Sequence, residues 1–100
     1  MANANEITPE QTILLMLKTD LGVTTTAYDS RFLQLISAAE GYIEAEGATL
    51  NLESVDDMQL VKMYADYLWR RRDSQAGMPR MLRFALNNRV LGQKAGEGNG

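Results

Sequence analysis

The residues best equipped for chemistry in this chain are cationic and aromatic. Arg70, Arg71 and Arg72 follow Trp69 directly, and Arg80, Arg83 and Arg89 come after them. Guanidinium groups in such density bind carboxylates or phosphates, in a partner protein or in nucleic acid. Consecutive helical residues turn by about 100° each, however, so the triplet cannot share one face, and part of it is expected to cap the negative end of its own helix. Tyr42, Tyr64, Tyr67 and Trp69 offer ring faces for stacking. Aromatics at helical spacing are core residues first, with Trp69, beside the arginines, placed at the rim of an interface.

The carboxylates Glu40, Glu44 and Glu46 form the other cluster. Glu40 and Glu44 fall on one helix face, but nothing close in sequence would desolvate one of them and raise its pKa, as acid–base catalysis requires. A solvated face is the expectation. The chain has no Cys and no His, which removes thiol and imidazole chemistry, disulfides and most transition-metal sites. No phosphate-binding loop, metal-ligand spacing or nucleophile motif is present. These residues describe a binding or structural protein rather than an enzyme, without cofactor or metal.

The elements that must position the arginines read as helices. One hundred residues, 45% of them hydrophobic, support a single domain with one modest core. No apolar run approaches the roughly 20 residues of a membrane span, and MANANEITPE lacks the pattern of a signal peptide, so a cytoplasm-like compartment is expected. Thr8, Pro9 and Gln11 form a helix start with a capping box, and Gly22 forms its end. Residues 23–26 read as an extended linker. A second helix starts near Thr26 or Asp29, carries Phe32, Leu33, Ile36, Ala39 and Ile43 inward with Leu35 and Tyr42 at the margin, and stops at Gly47. Gly41 inside it costs about 1 kcal/mol relative to Ala and would be explained by a closely approaching helix. Ser54 caps a third helix that runs to about Arg72 and is expected to bury one broad face made of Leu60, Tyr64 and Leu68 with Val61, Ala65 and Trp69. Gly77 and Pro79 mark a hinge within residues 73–78, and a last helix runs from Pro79 to about Leu91 with Met81, Leu82, Ala85, Leu86 and Leu91 as its apolar stripe. Gly92, Gln93, Lys94, Gly96, Gly98 and Gly100 belong to a Gly-rich tail, residues 92–100, expected to be flexible or held by a partner. The fold class is all-α: a small bundle of about four helices over residues 1–91, followed by that tail.

Charge divides along the chain. Residues 1–57 hold ten carboxylates against Lys18 and Arg31, a net −8, and residues 58–100 hold eight cations against Asp66, Asp73 and Glu97, a net +5. Such a molecule is electrically lopsided, and copies can dock head to tail; a contact of that kind closes into a ring when its rotation permits.

Taken in order, LKTDLGV, DSRFLQLISAAEGYIEAEG, YADYLWRRRDS and MPRMLRFALNNRVL, over residues 12–91, resemble the head–tail connector proteins of tailed bacteriophages. The resemblance implies a structural virion protein of the neck, assembled in the host cytoplasm. It would be a subunit of a ring of about 12 or 13 copies that docks on the portal and meets a tail-side neck or tail-completion protein, with DNA passing through the channel without specific binding. The charge split makes Trp69, Arg70, Arg71, Arg72, Arg80, Arg83 and Arg89 the candidate surface toward a neighbouring subunit or the portal. The alternative is a small helical DNA-binding or regulatory protein whose Arg-bearing last helix is a recognition helix. The acidic balance of the whole chain speaks against that reading, because tight DNA binding draws on several cation–phosphate contacts.

Overall fold

Local signals at the helix ends explain most of the architecture. The computed structural model describes residues 7–72 and 77–98, and these form four α-helices: α1 (Pro9–Leu21), α2 (Asp29–Ala45), α3 (Val55–Arg71) and α4 (Arg80–Gly98). No strand occurs among the described residues. At the start of α1 the Thr8 hydroxyl accepts from the Gln11 amide at 3.1 Å and the Gln11 side chain accepts from the Thr8 amide at 3.0 Å, the reciprocal pair expected of a capping box. Gly22 closes α1 at φ 70°, a left-handed conformation that favours glycine. Ser54 caps α3 through the Asp57 amide.

Of the two expected starts of α2 the structure takes Asp29: the Thr26 carbonyl accepts from the Asp29 amide and the Ala27 amide is taken by Thr25 Oγ1, so the linker ends in a turn and α2 begins without a side-chain cap. Gly41 has nothing within 4 Å of where a Cβ would sit, so no helix approaches it and its place in α2 is an open surface. Pro79 precedes α4, its carbonyl accepting from the Arg83 amide at 3.1 Å. Of the expected hinge, Gly77 and Pro79 lie in the non-helical approach to α4, and residues 73–76 lie outside the described residues.

The largest correction concerns the C-terminus. The helix does not stop at Leu91: α4 continues through Gly92, Gln93, Lys94 and Gly96 to Gly98, while Gly100 lies outside the described residues. Glycine inside a helix costs about 1 kcal/mol per residue relative to Ala, and an anchor offsets it. The Gln93 amide group donates to the Gly47 carbonyl at 3.1 Å, and its oxygen accepts from the Thr49 amide at 2.7 Å. Val90 lies 3.6 Å from a Cβ built on Gly47. Gln93, at the start of the segment expected to reach for a partner, is held by the chain's own α2–α3 loop.

Side chains from all four helices meet in one core. Ile13 and Leu17 of α1, Phe32, Ile36, Ala39 and Ile43 of α2, Val61 and Ala65 of α3, and Leu86 of α4 are fully buried. α3 is the central element, packing on α1, α2 and α4, whereas α4 rests chiefly on α3. α1 runs antiparallel to α2, as the Lys18–Asp29 ion pair at 2.8 Å shows, and α2 antiparallel to α3, with Phe32 against Trp69 and Tyr42 stacked on Tyr64. The start of α1, the end of α2 and the start of α3 therefore share one end of the molecule. The result is a slab of 46 × 43 × 18 Å. Its radius of gyration, 14.5 Å, exceeds the roughly 13 Å of an ordinary 100-residue domain, because α4 lies on the edge of the bundle.

Candidate functional site

The expected cationic surface is divided among three places. At the end of α3, Arg72 Nη1 donates to the Trp69 carbonyl at 2.7 Å, and the Arg72 guanidinium lies 3.5 Å from the centre of the Trp69 ring. This satisfies a terminal carbonyl and places positive charge at the negative end of the helix. Arg70 pairs with Asp66 one turn earlier at 2.8 Å, and Arg71 lies 5.6 Å over the Tyr67 ring with Nη1 3.4 Å from its hydroxyl. The capping expected of the triplet is thus what Arg72 does. Trp69 divides its surface: its edge-on contacts with Phe32 (4.7 Å) and Tyr28 (5.7 Å) join it to the core, and Arg72 covers it from outside.

Arg31, which sequence spacing did not connect with the triplet, comes to the same end from α2. Arg31, Gln34, Tyr42, Leu68, Arg71 and Arg72 line a shallow groove between α2 and α3. The Arg31 guanidinium is 3.4 Å from Gln34 Oε1. Three guanidiniums around a groove with a phenol and an amide on its walls form a surface for carboxylates or other anions.

Arg83 and Arg89 pair with the chain's own carboxylates, Arg83 at the surface, where its side chain stays 41% exposed, and Arg89 in a largely buried pair that turns it away from an intermolecular surface. Arg83 forks onto Glu46 at 3.0 and 3.2 Å. Arg89 forks onto Asp57 at 2.8 and 3.1 Å, donates to the Thr49 carbonyl at 2.6 Å, and donates to Gln93 Oε1 at 3.0 Å. Asp57 is only 3% exposed, and it also accepts from the Asn51 amide at 2.8 Å. The Arg89 fork, with the Asn51 amide behind it, holds the Asp57 carboxyl below its ordinary pKa against the opposing effect of burial. In the sequence Asp57 reads as a first-turn charge on α3; its partner lies 32 residues away. Arg80 stays exposed on the outer surface of α4.

A site with no sequence signal lies at the opposite end from the arginine groove. Glu40 of α2 meets Glu10 of α1, and burial, the facing Glu10 carboxyl and the charge of Glu44 raise the Glu40 pKa to about 7. Its Oε2 is shielded from solvent and has no hydrogen-bond partner. Two ionised carboxylates cannot donate to each other, so the pair is relieved when it binds a proton. The expectation that nothing desolvates Glu40 fails because the desolvating element is α1, thirty residues earlier in the chain. Glu44, by contrast, is exposed as expected. With Glu53 and Asp56, exposed at the start of α3, these groups make this end of the slab acidic.

The groove and the acidic end are surfaces rather than enclosed sites. Among the described residues, no group of three or more acidic side chains is arranged to hold a metal ion. Comparison with protein-family models, with curated proteins and with solved structures gives no match for this chain.

Proposed function

We propose that this chain is a structural subunit of a ring-forming head–tail connector. Copies of it would build a ring that docks on the portal of a phage head and hands the channel to a tail-side neck or tail-completion protein. One observation carries the assembly mode: a thin slab whose α1-start, α2-end and α3-start end gathers Glu10, Glu40, Glu44, Glu53 and Asp56, while its other end gathers Arg31, Arg71 and Arg72. Such a body associates with its own copies, or with a charged neighbour, in a fixed orientation. The identity of the neighbours rests on the sequence resemblance to the connector family, and with it the neck of the virion as the protein's location.

The arginine groove is the surface we assign to the portal. Replacing Arg71 and Arg72 together by Glu abolishes attachment of the protein to portal-bearing heads; the free chain still folds, with a loss on the order of 1 kcal/mol as α3 loses its Arg72 cap. Attachment is read by co-sedimentation with heads. Undiminished attachment of that double variant contradicts the assignment. The DNA-binding alternative needs a row of arginines on α4 free to meet phosphates; Arg83 and Arg89 are engaged within the fold, so the geometry favours the connector reading.

A further inference from the structure

α4 has two apolar faces, and the fold uses one. Leu82 and Leu86 are buried against the bundle, in line with Arg89 and Gln93. Met81, Phe84 and Leu91 stand on the other side, 75%, 58% and 63% exposed. Spacings of three and seven residues put these three side chains in one line along the helix, with Asn88 between Phe84 and Leu91. This is the a and d spacing of a heptad seam, and Arg80, Asn87 and Lys94, seven residues apart, form its flank. Single exposed apolar side chains are ordinary on protein surfaces, but three in register along one helix mark an interaction face.

Charge selects the occupant. From residue 80 to residue 96, α4 carries Arg80, Arg83, Arg89 and Lys94 and no carboxylate. Antiparallel pairing with another α4 would set Arg80 against Lys94, like charge against like. The complementary surface lies on the same chain, at the end where α1 begins and α2 finishes. There Glu10, Glu40 and Glu44 gather, Ile7 is 65% exposed, and Gly41 leaves open space on α2.

We propose that the outer face of α4 docks on the Glu10–Glu40–Glu44 end of a second copy of this chain, with Phe84 and Leu91 seated beside Ile7 and Gly41 and with Arg80 set against the cluster of carboxylates. The two surfaces differ, so each copy both offers and receives a contact. Repetition builds a ring or a filament rather than a closed pair. This contact deepens the connector reading and rests on it for the claim that copies self-associate.

Two variants divide the contact between its halves. Phe84→Asp removes the α4 side and Gly41→Arg blocks the acidic side; both positions are exposed, so each variant folds, Phe84→Asp melting close to the wild type and Gly41→Arg somewhat above it because a glycine inside a helix is replaced. By sedimentation velocity and native mass spectrometry, the wild-type chain forms concentration-dependent species larger than dimers, each variant alone stays monomeric, and an equimolar mixture yields a heterodimer and nothing larger, since each variant retains the surface the other lacks. A monomeric wild type at every concentration, a mixture that stays monomeric, assembly that stops at a symmetric dimer, or a single variant that assembles like wild type overturns the proposal. Failure of the connector reading looks different. A chain that self-associates in this pattern but ignores portal-bearing heads keeps the contact and loses the reading, whereas a wild-type chain that attaches to heads but stays monomeric in solution keeps the reading and loses the contact.

Discussion

Asp57 and Glu40 are both carboxylates drawn into the body of the bundle, and the fold treats them in opposite ways. Asp57 receives the Asn51 amide and a bidentate Arg89, so its charge is stabilised and its pKa falls. Glu40 receives Glu10, so its charge is opposed and its pKa rises to about 7. A buried carboxylate answered within the chain ties elements together, here α3, the α2–α3 loop and α4. One that meets another acid weakens the end it sits in and leaves a demand for a proton or a cation. The first explains why α4 runs on past its glycines. The second marks the surface that the isolated chain leaves incomplete.

The comparison breaks most readily at Arg89. Arg89→Ala leaves Asp57 buried and unpaired and costs about 3 kcal/mol, the usual penalty for removing one partner of a buried pair. Because Arg89 and Gln93 hold α4 to the loop, hydrogen exchange at residues 90–98 accelerates beyond what the global loss of stability accounts for. The double variant Asp57→Ala, Arg89→Ala recovers part of the loss in urea denaturation, since no charge is then left without its partner. Equal stability of Arg89→Ala and wild type removes the Asp57 side of the comparison.

A smaller effect separates the two carboxylates by pH. The folded pKa of Asp57 is depressed, so its contribution is present above the ordinary carboxylate range and is lost as pH falls through the folded value. The folded pKa of Glu40 is raised from 4.5 to about 7, so its contribution is full below about 4.5 and is lost as pH rises through about 7. The charged groups acting on Glu40 are Glu10 from α1 and Glu44 from its own helix. Glu40→Gln therefore stabilises the monomer at pH 8 and leaves it unchanged near pH 4. The gain is on the order of 1 kcal/mol after allowance for solvent screening of a partly buried group. A pH-independent difference in melting temperature between Glu40→Gln and wild type contradicts this side.

Much of this architecture could be read in advance because its causes are local. Thr8 and Gln11 are three residues apart, Gly22 needs only its own φ, Ser54 caps its own helix, and the buried stripes of α1, α2 and α3 repeat at helical spacing. The misreadings share a different cause. Met81, Leu82, Ala85, Leu86 and Leu91 read as one stripe, yet Leu82 and Leu86 face the core while Met81 and Leu91 face away. Successive positions 81 and 82 differ by about 100° around the helix, and only tertiary packing decides which side is buried. Arg89, Gln93 and Glu40 were misjudged because their partners, Asp57, Gly47 and Glu10, lie thirty or more residues away. Composition then pointed the wrong way: glycines suggested a loose tail where one glutamine is enough to anchor a helix. Of the seven residues assigned to an interface, spacing gave the charge but not its direction. Arg71 and Arg72 line an outward groove, Arg80 flanks an outward seam, and Arg83 and Arg89 are spent on the fold.

The central claim is that Asp57 is answered inside the chain and Glu40 by a neighbour. The most direct test is the titration of the Glu40 side-chain carboxyl carbon, followed by NMR with selective labelling, in the wild-type assembly and in the monomeric Phe84→Asp variant. The account predicts a midpoint near 7 in the variant, where burial, Glu10 and Glu44 act on Glu40 with no cation opposing them, and a midpoint in the ordinary carboxylate range or below it in the assembly, where Arg80 of the next copy favours the charged form. A Glu40 midpoint that is the same in the assembly and in the monomer would contradict it.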